Sequence, residues 1–122
     1  MPIHPEPADL ERFLANDRGR PFVLVQLLRF VEGGRERYVV YSTGALPVIR
    51  SLGAQLLYAG ECVDPLLAAP GQAWDAIVVV RYPNRATYAK LHEDPRYQAI
   101  EHLRREALRD VMILPMDDWP GR

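Results

Sequence analysis

Two strand-like runs constrain the fold of this chain more than any other feature of its sequence. Residues 22–30 read FVLVQLLRF and are apolar at odd and even positions alike, apart from Gln26 and Arg29. Residues 74–82 read WDAIVVVRY, and their β-branched residues are typical of a strand. Successive side chains point to opposite faces of a strand, so these runs predict a sheet that is covered on both sides.

The remaining elements follow from turn and capping residues. Pro7 favours the start of a short helix, because its missing N–H would be unpaired in the first turn anyway. Asn84 and Asp94 are good N-caps, so two helical pieces should meet within the sequence HEDPRY. The expected order is a helix near the N-terminus, a strand at 22–30, a helix at 36–52, strands at 54–63 and 74–82, a helical region from 85 to 108, and a strand at 111–116.

This β-α-β-β-α-β order predicts an α+β, ferredoxin-like fold with an extra N-terminal helix. Right-handed crossovers place both long helices on one face of a four-stranded antiparallel sheet. We expect an N-terminal helical extension at 1–20, a ferredoxin-like domain at 21–116 and a tail at 117–122. The other face of the sheet would expose more apolar surface than a monomer normally tolerates. A second copy packed sheet to sheet, as a homodimer, is the expected cover.

Composition excludes several classes of partner. The formal net charge is −1, and no basic stripe carries interleaved aromatic residues, so nucleic acid is not expected. The most basic run, RRE at 104–106, is interpreted as a helix surface. No apolar run is long enough to span a bilayer, and the single cysteine, Cys62, favours a reducing compartment. These features predict a cytoplasmic protein without a membrane partner.

His92 and Arg81 are the candidate catalytic residues. The ordinary pKa of histidine suits a general base near neutral pH, although His92 also lies where a helix C-terminus favours a histidine. Arg81 shares a strand face with Asp75, so it either holds an anionic or carbonyl group or forms a salt bridge. His4 is expected in solvent. No histidine or cysteine spacing matches a metal site, and neither a metal nor a cofactor is expected.

Gln26, Tyr38 and Tyr41 are the candidate ligand-binding residues. A buried amide must find partners, so Gln26 either satisfies a neighbouring backbone group or projects into a pocket. Tyr38 and Tyr41 share the sheet-facing side of the helix at 36–52, either as core residues or as a pocket wall. Pro47 cannot donate to the carbonyl four residues earlier, so a kink or break is expected near Thr43, and the two tyrosines would line any gap that it opens between helix and sheet.

The segment WDAIVVVRYPNRATYAKLHEDPRYQAI, residues 74–100, resembles the signature of the domain-of-unknown-function 1330 family: a W-D pair, a strand, Y-P-[S/N] and D-P-x-Y-Q. The runs VLVQLLRF, YVVYSTGALPVIRSLGAQLLYAGE and VMILP occupy the matching places, so the similarity covers roughly residues 22–115. Gln26 stands where the family is expected to have asparagine, and the helix after Gly33 is unusually rich in tyrosine. The resemblance implies the dimeric α+β barrel group of ferredoxin-like folds, whose sites lie between the sheet and its helices or near the dimer interface.

Two functions follow as hypotheses, because the family has no established common activity and a fold alone assigns no reaction. The first is a small-molecule protein with an apolar pocket between sheet and helices. If it is an enzyme, cofactor-independent proton transfer on a carbonyl or aromatic compound is expected, with His92 as base, Arg81 and Gln26 as carbonyl contacts, and the two tyrosines as wall. The second is a non-catalytic dimeric binding or interaction module, which a filled interface between helices and sheet would favour.

Overall fold

A computed structural model describes residues 3–120 of the chain. The described part has one four-stranded sheet, and helices precede its first strand and connect β1 to β2 and β3 to β4. The elements are α1 (Pro7–Ala15), β1 (Phe22–Phe30), α2 (Gly34–Ser51), β2 (Gln55–Glu61), β3 (Ala76–Tyr82), α3 (Arg85–Glu93), α4 (Pro95–Gln98), α5 (Glu101–Ala107) and β4 (Leu108–Met116).

The sheet has the order β2-β3-β1-β4, and every neighbouring pair is antiparallel. The two strands that are apolar on both faces, β1 and β3, are therefore the central ones, as strands covered on both sides should be. Leu24 and Leu28 of β1 are almost completely buried and join the core that the helices form with the sheet. The prediction of an α+β ferredoxin-like fold is confirmed.

The predicted helix caps are present at the joint between the helical pieces. Asn84 Oδ1 accepts a hydrogen bond of 2.8 Å from the Thr87 backbone N–H, and Asp94 Oδ1 accepts one of 2.9 Å from the Arg96 N–H. Each cap satisfies a backbone donor that the first helical turn leaves unpaired. The chain therefore stops one helix at Glu93 and starts the next at Pro95, and a further interruption separates α4 from α5.

The second helix was predicted to kink or break near Thr43, and the break is absent. Helix α2 runs without interruption from Gly34 to Ser51 with Pro47 inside it. Proline removes one backbone hydrogen bond, but α2 is anchored on both sides of that position by buried side chains, among them Tyr41 and Ile49. Packing of the apolar face thus holds the helix together where its sequence alone favoured a break.

Strand β4 begins three residues earlier than predicted. Leu108 pairs with Phe30 of β1, and the pairing register of the two strands shifts between Arg29 and Phe30. The Val31 N–H donates to the Ala107 carbonyl at 3.0 Å. The chain thus passes from α5 into β4 without a loop. Gly34 packs against this junction so closely that a Cβ there would overlap the Ala107 carbonyl oxygen.

The face of the sheet that points away from the helices is mostly apolar, although Arg81 of β3 also lies on it. We call it the open face, and several of its side chains are well exposed, with Met112 at 44% and Leu114 at 37%. It is formed by Val23, Val25, Leu27, Tyr58, Ile77, Val79, Met112, Leu114 and Met116. The described chain contains no helix with both the length and the apolar character needed to cross a bilayer.

Candidate functional site

A small cavity lies between the helices and the helix-facing side of β1 and β3. It provides about 40 Å³ for the centres of water-sized molecules, which is room for only a few waters. Its wall is unusually polar and aromatic for a space inside a hydrophobic core. The polar and aromatic side chains of this wall include those of Gln26, Tyr38, Tyr41, His92, Tyr97 and Arg104.

Four of the five residues singled out in the sequence therefore face one cavity. Gln26 reaches it from β1, Tyr38 and Tyr41 from α2, and His92 from the last turn of α3. Gln26 does not satisfy a neighbouring backbone group: its side-chain oxygen accepts a hydrogen bond from Arg104 Nη2 at 3.1 Å. Whether these residues bind a ligand remains a prediction.

Arg81 does not line this cavity. It is paired with Val23 and Gln55 in the sheet, and alternation along β3 places it on the open face, opposite to Val80 and Tyr82, which are buried under the helices. Its expected partner on the same face, Asp75, instead accepts a hydrogen bond of 2.9 Å from the Phe30 N–H. The structure therefore places Arg81 on the face of the sheet opposite to the other four candidates, and its catalytic role stays a prediction.

Arg104 is the main residue of the cavity that the sequence interpretation missed. The run at 104–106 was expected on a helix surface, but only its second and third residues are exposed, while Arg104 is 3% exposed. Its Nη1 donates to the Ile3 carbonyl at 2.5 Å. The signal was present in the sequence, because Arg104 falls on the apolar face that continues the helical period of Tyr97 and Ile100.

The tyrosines of the cavity form a connected aromatic cluster. The hydroxyls of Tyr41 and Tyr97 are 2.8 Å apart in a buried hydrogen bond, and the rings of Tyr38 and Tyr41 are in contact at 5.2 Å between centroids. Burial raises the pKa of Tyr38 to about 12 and raises the pKa of Tyr41 well above its ordinary value. These phenols are therefore neutral hydrogen-bonding groups at physiological pH.

Two histidines meet at the edge of the cavity. The rings of His4 and His92 are 5.3 Å apart in an edge-to-face arrangement, so the expectation that His4 is solvated is wrong. Burial, together with the charges of His4 and Arg104, lowers the pKa of His92 to about 4, and burial also lowers the pKa of His4. Both imidazoles are thus neutral near pH 7.

Each of these histidines has a buried nitrogen without a hydrogen bond from the described residues. The atoms are His92 Nε2 and His4 Nδ1. Glu101 Oε1 lies 3.5 Å from His4 Nδ1. That distance would allow an ion pair with a protonated ring, but it is too long for a good hydrogen bond to the neutral ring. Buried polar atoms nearly always have a hydrogen-bond partner, so two buried nitrogens without one, beside a cavity, mark a place for water or a ligand.

A wider groove of about 500 Å³ adjoins the cavity. It lies beneath α1, between α3 and β4, and its wall includes Phe13, Leu24 and Ile113. Pro5 and Tyr88 border both spaces. The segment Ile3–Pro5, which we call the N-terminal segment, therefore forms part of the partition between cavity and groove. In residues 3–120 no group of three histidine, cysteine or acidic side chains is arranged to hold a metal ion.

Comparison with known families decides the identity of the domain. The model of a family described as a domain of unknown function, DUF1330, matches residues 28–116. This protein belongs to the DUF1330 family. The match includes the W-D, Y-P-N and D-P-R-Y-Q segments that suggested the family in the sequence. A search of curated proteins finds no match for this DUF1330 chain.

Solved structures with a similar fold come from several bacteria. A protein of unknown function from Rhodopseudomonas palustris shares 24% identity over 98% of both chains, with a TM-score of 0.87. A dimeric protein of unknown function with a ferredoxin-like fold from Bacteroides fragilis shares 10% identity over 80% of this chain and 96% of that one, with a TM-score of 0.57. A protein from Bacteroides thetaiotaomicron described as a putative antibiotic biosynthesis monooxygenase shares 15% identity over 84% of this chain and 94% of that one, with a TM-score of 0.60. At these identities the similarity establishes the fold of the DUF1330 protein and not its activity.

Proposed function

We propose that this DUF1330 protein binds a small carbonyl or aromatic molecule between its sheet and its helices. The observation that carries the proposal is the pair of unpaired buried imidazole nitrogens, on His4 and His92, beside a cavity that adjoins a groove. The groove has a volume of about 500 Å³, which is within the size range of small-molecule sites. The cavity alone, at about 40 Å³, is too small to hold such a ligand. The polar end of the ligand would lie at the cavity and its apolar body in the groove.

Catalysis by proton transfer would use the same groups. His92 is neutral at pH 7 and can accept a proton at Nε2, and Gln26 and the tyrosine hydroxyls are within the same wall. A base whose pKa is about 4 has little driving force at neutral pH, so proton abstraction requires a ligand that raises the pKa of His92 toward its ordinary value. No metal or cofactor is part of the proposal. The single cysteine is consistent with a cytoplasmic location.

Ligand titration by NMR tests this site directly. A panel of small aromatic aldehydes and ketones should shift the ring signals of His92 and His4 and leave those of His102, which is exposed, unchanged. Arg81→Gln is the matched control, because it alters a polar residue on the opposite face of the sheet and should leave the affinity unchanged. Shifts that avoid both cavity histidines, or that vanish in the Arg81→Gln variant, would refute the proposed location.

We also propose that the protein assembles as a homodimer through the open face. The mostly apolar surface of the open face needs a cover, and a second copy offers the same apolar surface in return. The related protein from Bacteroides fragilis is described as dimeric. The alternative function, a non-catalytic dimeric interaction module, is favoured by one observation, the small size of the cavity.

Sedimentation of two charge variants tests the dimer. The chain has a mass of 13.9 kDa, so the proposal predicts a species of twice that mass. Leu114→Glu places a carboxylate on the open face, next to Val25, and should shift the protein to monomer. Val39→Glu is the matched control, because Val39 is 60% exposed on α2 and its replacement should leave the dimer intact. A wild-type protein that sediments as a monomer would overturn this proposal.

A further inference from the structure

Arg104 is a buried charge without a carboxylate partner in the described chain. It is 3% exposed, and its hydrogen bonds go to two neutral oxygens, the Ile3 carbonyl and Gln26 Oε1. None of the ion pairs within residues 3–120 includes it. A guanidinium removed from water is normally compensated by an anion, because neutral acceptors offset only part of its lost hydration.

The groups around Arg104 do not supply the missing negative charge. The cavity tyrosines are neutral phenols, since burial raises the pKa of each of them, and His4 and His92 are neutral imidazoles. The acid on the adjoining turn, Glu101, is already bonded to Arg105. At neutral pH the wall of the cavity therefore carries a positive charge that faces the ligand site.

The geometry at Arg104 suits a carboxylate. The guanidinium presents parallel N–H groups on Nη1 and Nη2, which a carboxylate accepts with both oxygens in a bidentate pair. In the structure Nη1 is held by a single oxygen from the N-terminal segment, at 2.5 Å. That segment also forms part of the partition toward the groove, through Pro5. Release of the Ile3 carbonyl would therefore free the guanidinium and widen the passage between cavity and groove in the same movement.

We propose that the ligand is an organic monocarboxylate with an apolar body, and that its carboxylate replaces the Ile3 carbonyl on Arg104. The body would lie in the groove against Phe13 and Leu24, with the N-terminal segment displaced. This inference rests on the proposed function, because it concerns the same site, and it adds the charge of the ligand and the residue that recognises it.

Matched pairs of anion and neutral amide test the inference. Benzoate and benzamide, phenylacetate and phenylacetamide, and 4-methylpentanoate and its amide differ in charge but hardly in shape. In NMR titrations at pH 7 and low salt, at least one carboxylate should shift the His4 backbone amide and the His92 ring signals. Its amide should bind about tenfold more weakly or worse, since a charge-assisted bidentate pair is replaced by neutral hydrogen bonds.

Two variants connect the charge preference to Arg104. Arg104→Gln removes the charge but keeps a donor for the Ile3 carbonyl, and it should abolish the preference for the carboxylate. Arg109→Gln removes an equal charge from an exposed position on β4 and should leave the preference intact. If Arg104→Gln fails to fold, Arg104→Lys keeps the charge without the planar fork and should retain only part of the preference.

The outcomes separate this inference from the function it extends. Equal binding of acids and amides at the cavity histidines would preserve the proposed function and overturn the carboxylate. Binding of neither class at the cavity would overturn both. A carboxylate preference that survives Arg104→Gln, or that disappears in Arg109→Gln, would show that the anion is recognised elsewhere and would overturn the inference.

Discussion

The burial of His92 predicts a specific loss of stability in mild acid. The pKa of His92 is lowered to about 4 in the folded protein, mainly by burial, against an ordinary value of 6.5. Below pH 6.5 the unfolded chain therefore binds a proton that the folded chain does not, and stability falls as the pH falls toward 4. The difference in pKa corresponds to about 3 kcal/mol in full, of which roughly 2 kcal/mol is lost between pH 7 and pH 5.

Urea unfolding at pH steps from 7 to 4 measures this loss, and His92→Phe isolates it. The phenylalanine ring occupies a similar volume without titrating, so the variant should lose about 3 kcal/mol less over this range than the wild type. His102→Gln is the control and should follow the wild-type curve, because His102 is exposed. Carboxylates with lowered pKa values, such as Asp94, begin to lose their stabilising effect near the acid end of this range, but they do so equally in wild type and His92→Phe, so the difference between the two proteins isolates His92. An NMR titration that finds His92 protonating near pH 6.5, or parallel stability curves for wild type and His92→Phe, would refute the reasoning.

Two further predictions concern the packing around the cavity. Tyr41→Phe and Tyr97→Phe should each lower the free energy of unfolding by about 1–2 kcal/mol, because each leaves the other buried hydroxyl unpaired. The double variant should lose clearly less than the sum of the two single losses. Strictly additive losses in urea unfolding would contradict the hydrogen bond. Gly34→Ala should destabilise by about 2 kcal/mol or more, because the new Cβ overlaps the Ala107 carbonyl oxygen. Gly44→Ala on the same helix should cost clearly less, because its Cβ would meet only the end of the Ile100 side chain, at 3.1 Å, and alanine favours a helix over glycine. Equal melting temperatures for the two glycine variants would exclude the close contact as the cause.

Most of the fold could be predicted because local signals and the hydrophobic pattern agree along most of the chain. The caps at Asn84 and Asp94 and the apolar runs of β1 and β3 each specify one local structure and no competing one. The helix break considered near Thr43 does not occur, because that prediction weighed the one backbone hydrogen bond lost at Pro47 without the packing of a whole helix face. The early start of β4 could not be predicted, because it depends on pairing of Leu108 with a strand far away in the sequence.

The site was predicted in part, and the errors have a common origin. Alternation along β3 separates Arg81 from Val80 and Tyr82, but it does not say which face the helices cover. Arg104 was assigned to the surface by its charge although its position in the helical period indicated burial. His4 was assigned to solvent by its proline-rich surroundings, and only tertiary structure brings it against His92. Sequence alone thus located residue types and spacings well, and failed where burial of a polar group is decided by distant neighbours.

The alternation of β1 has a consequence for how this protein can diverge. Its even-numbered side chains, including Gln26, point toward the helices, and its odd-numbered ones, such as Val25 and Leu27, point toward the open face. Substitutions can therefore retune the chemistry of one side while leaving the other untouched. A single residue inserted or deleted near the start of β1 would exchange the two sets over the rest of the strand, turning the amide outward and a valine or leucine into the polar cavity. Lineages descended from this chain should accordingly vary the composition of β1 freely and keep its length fixed.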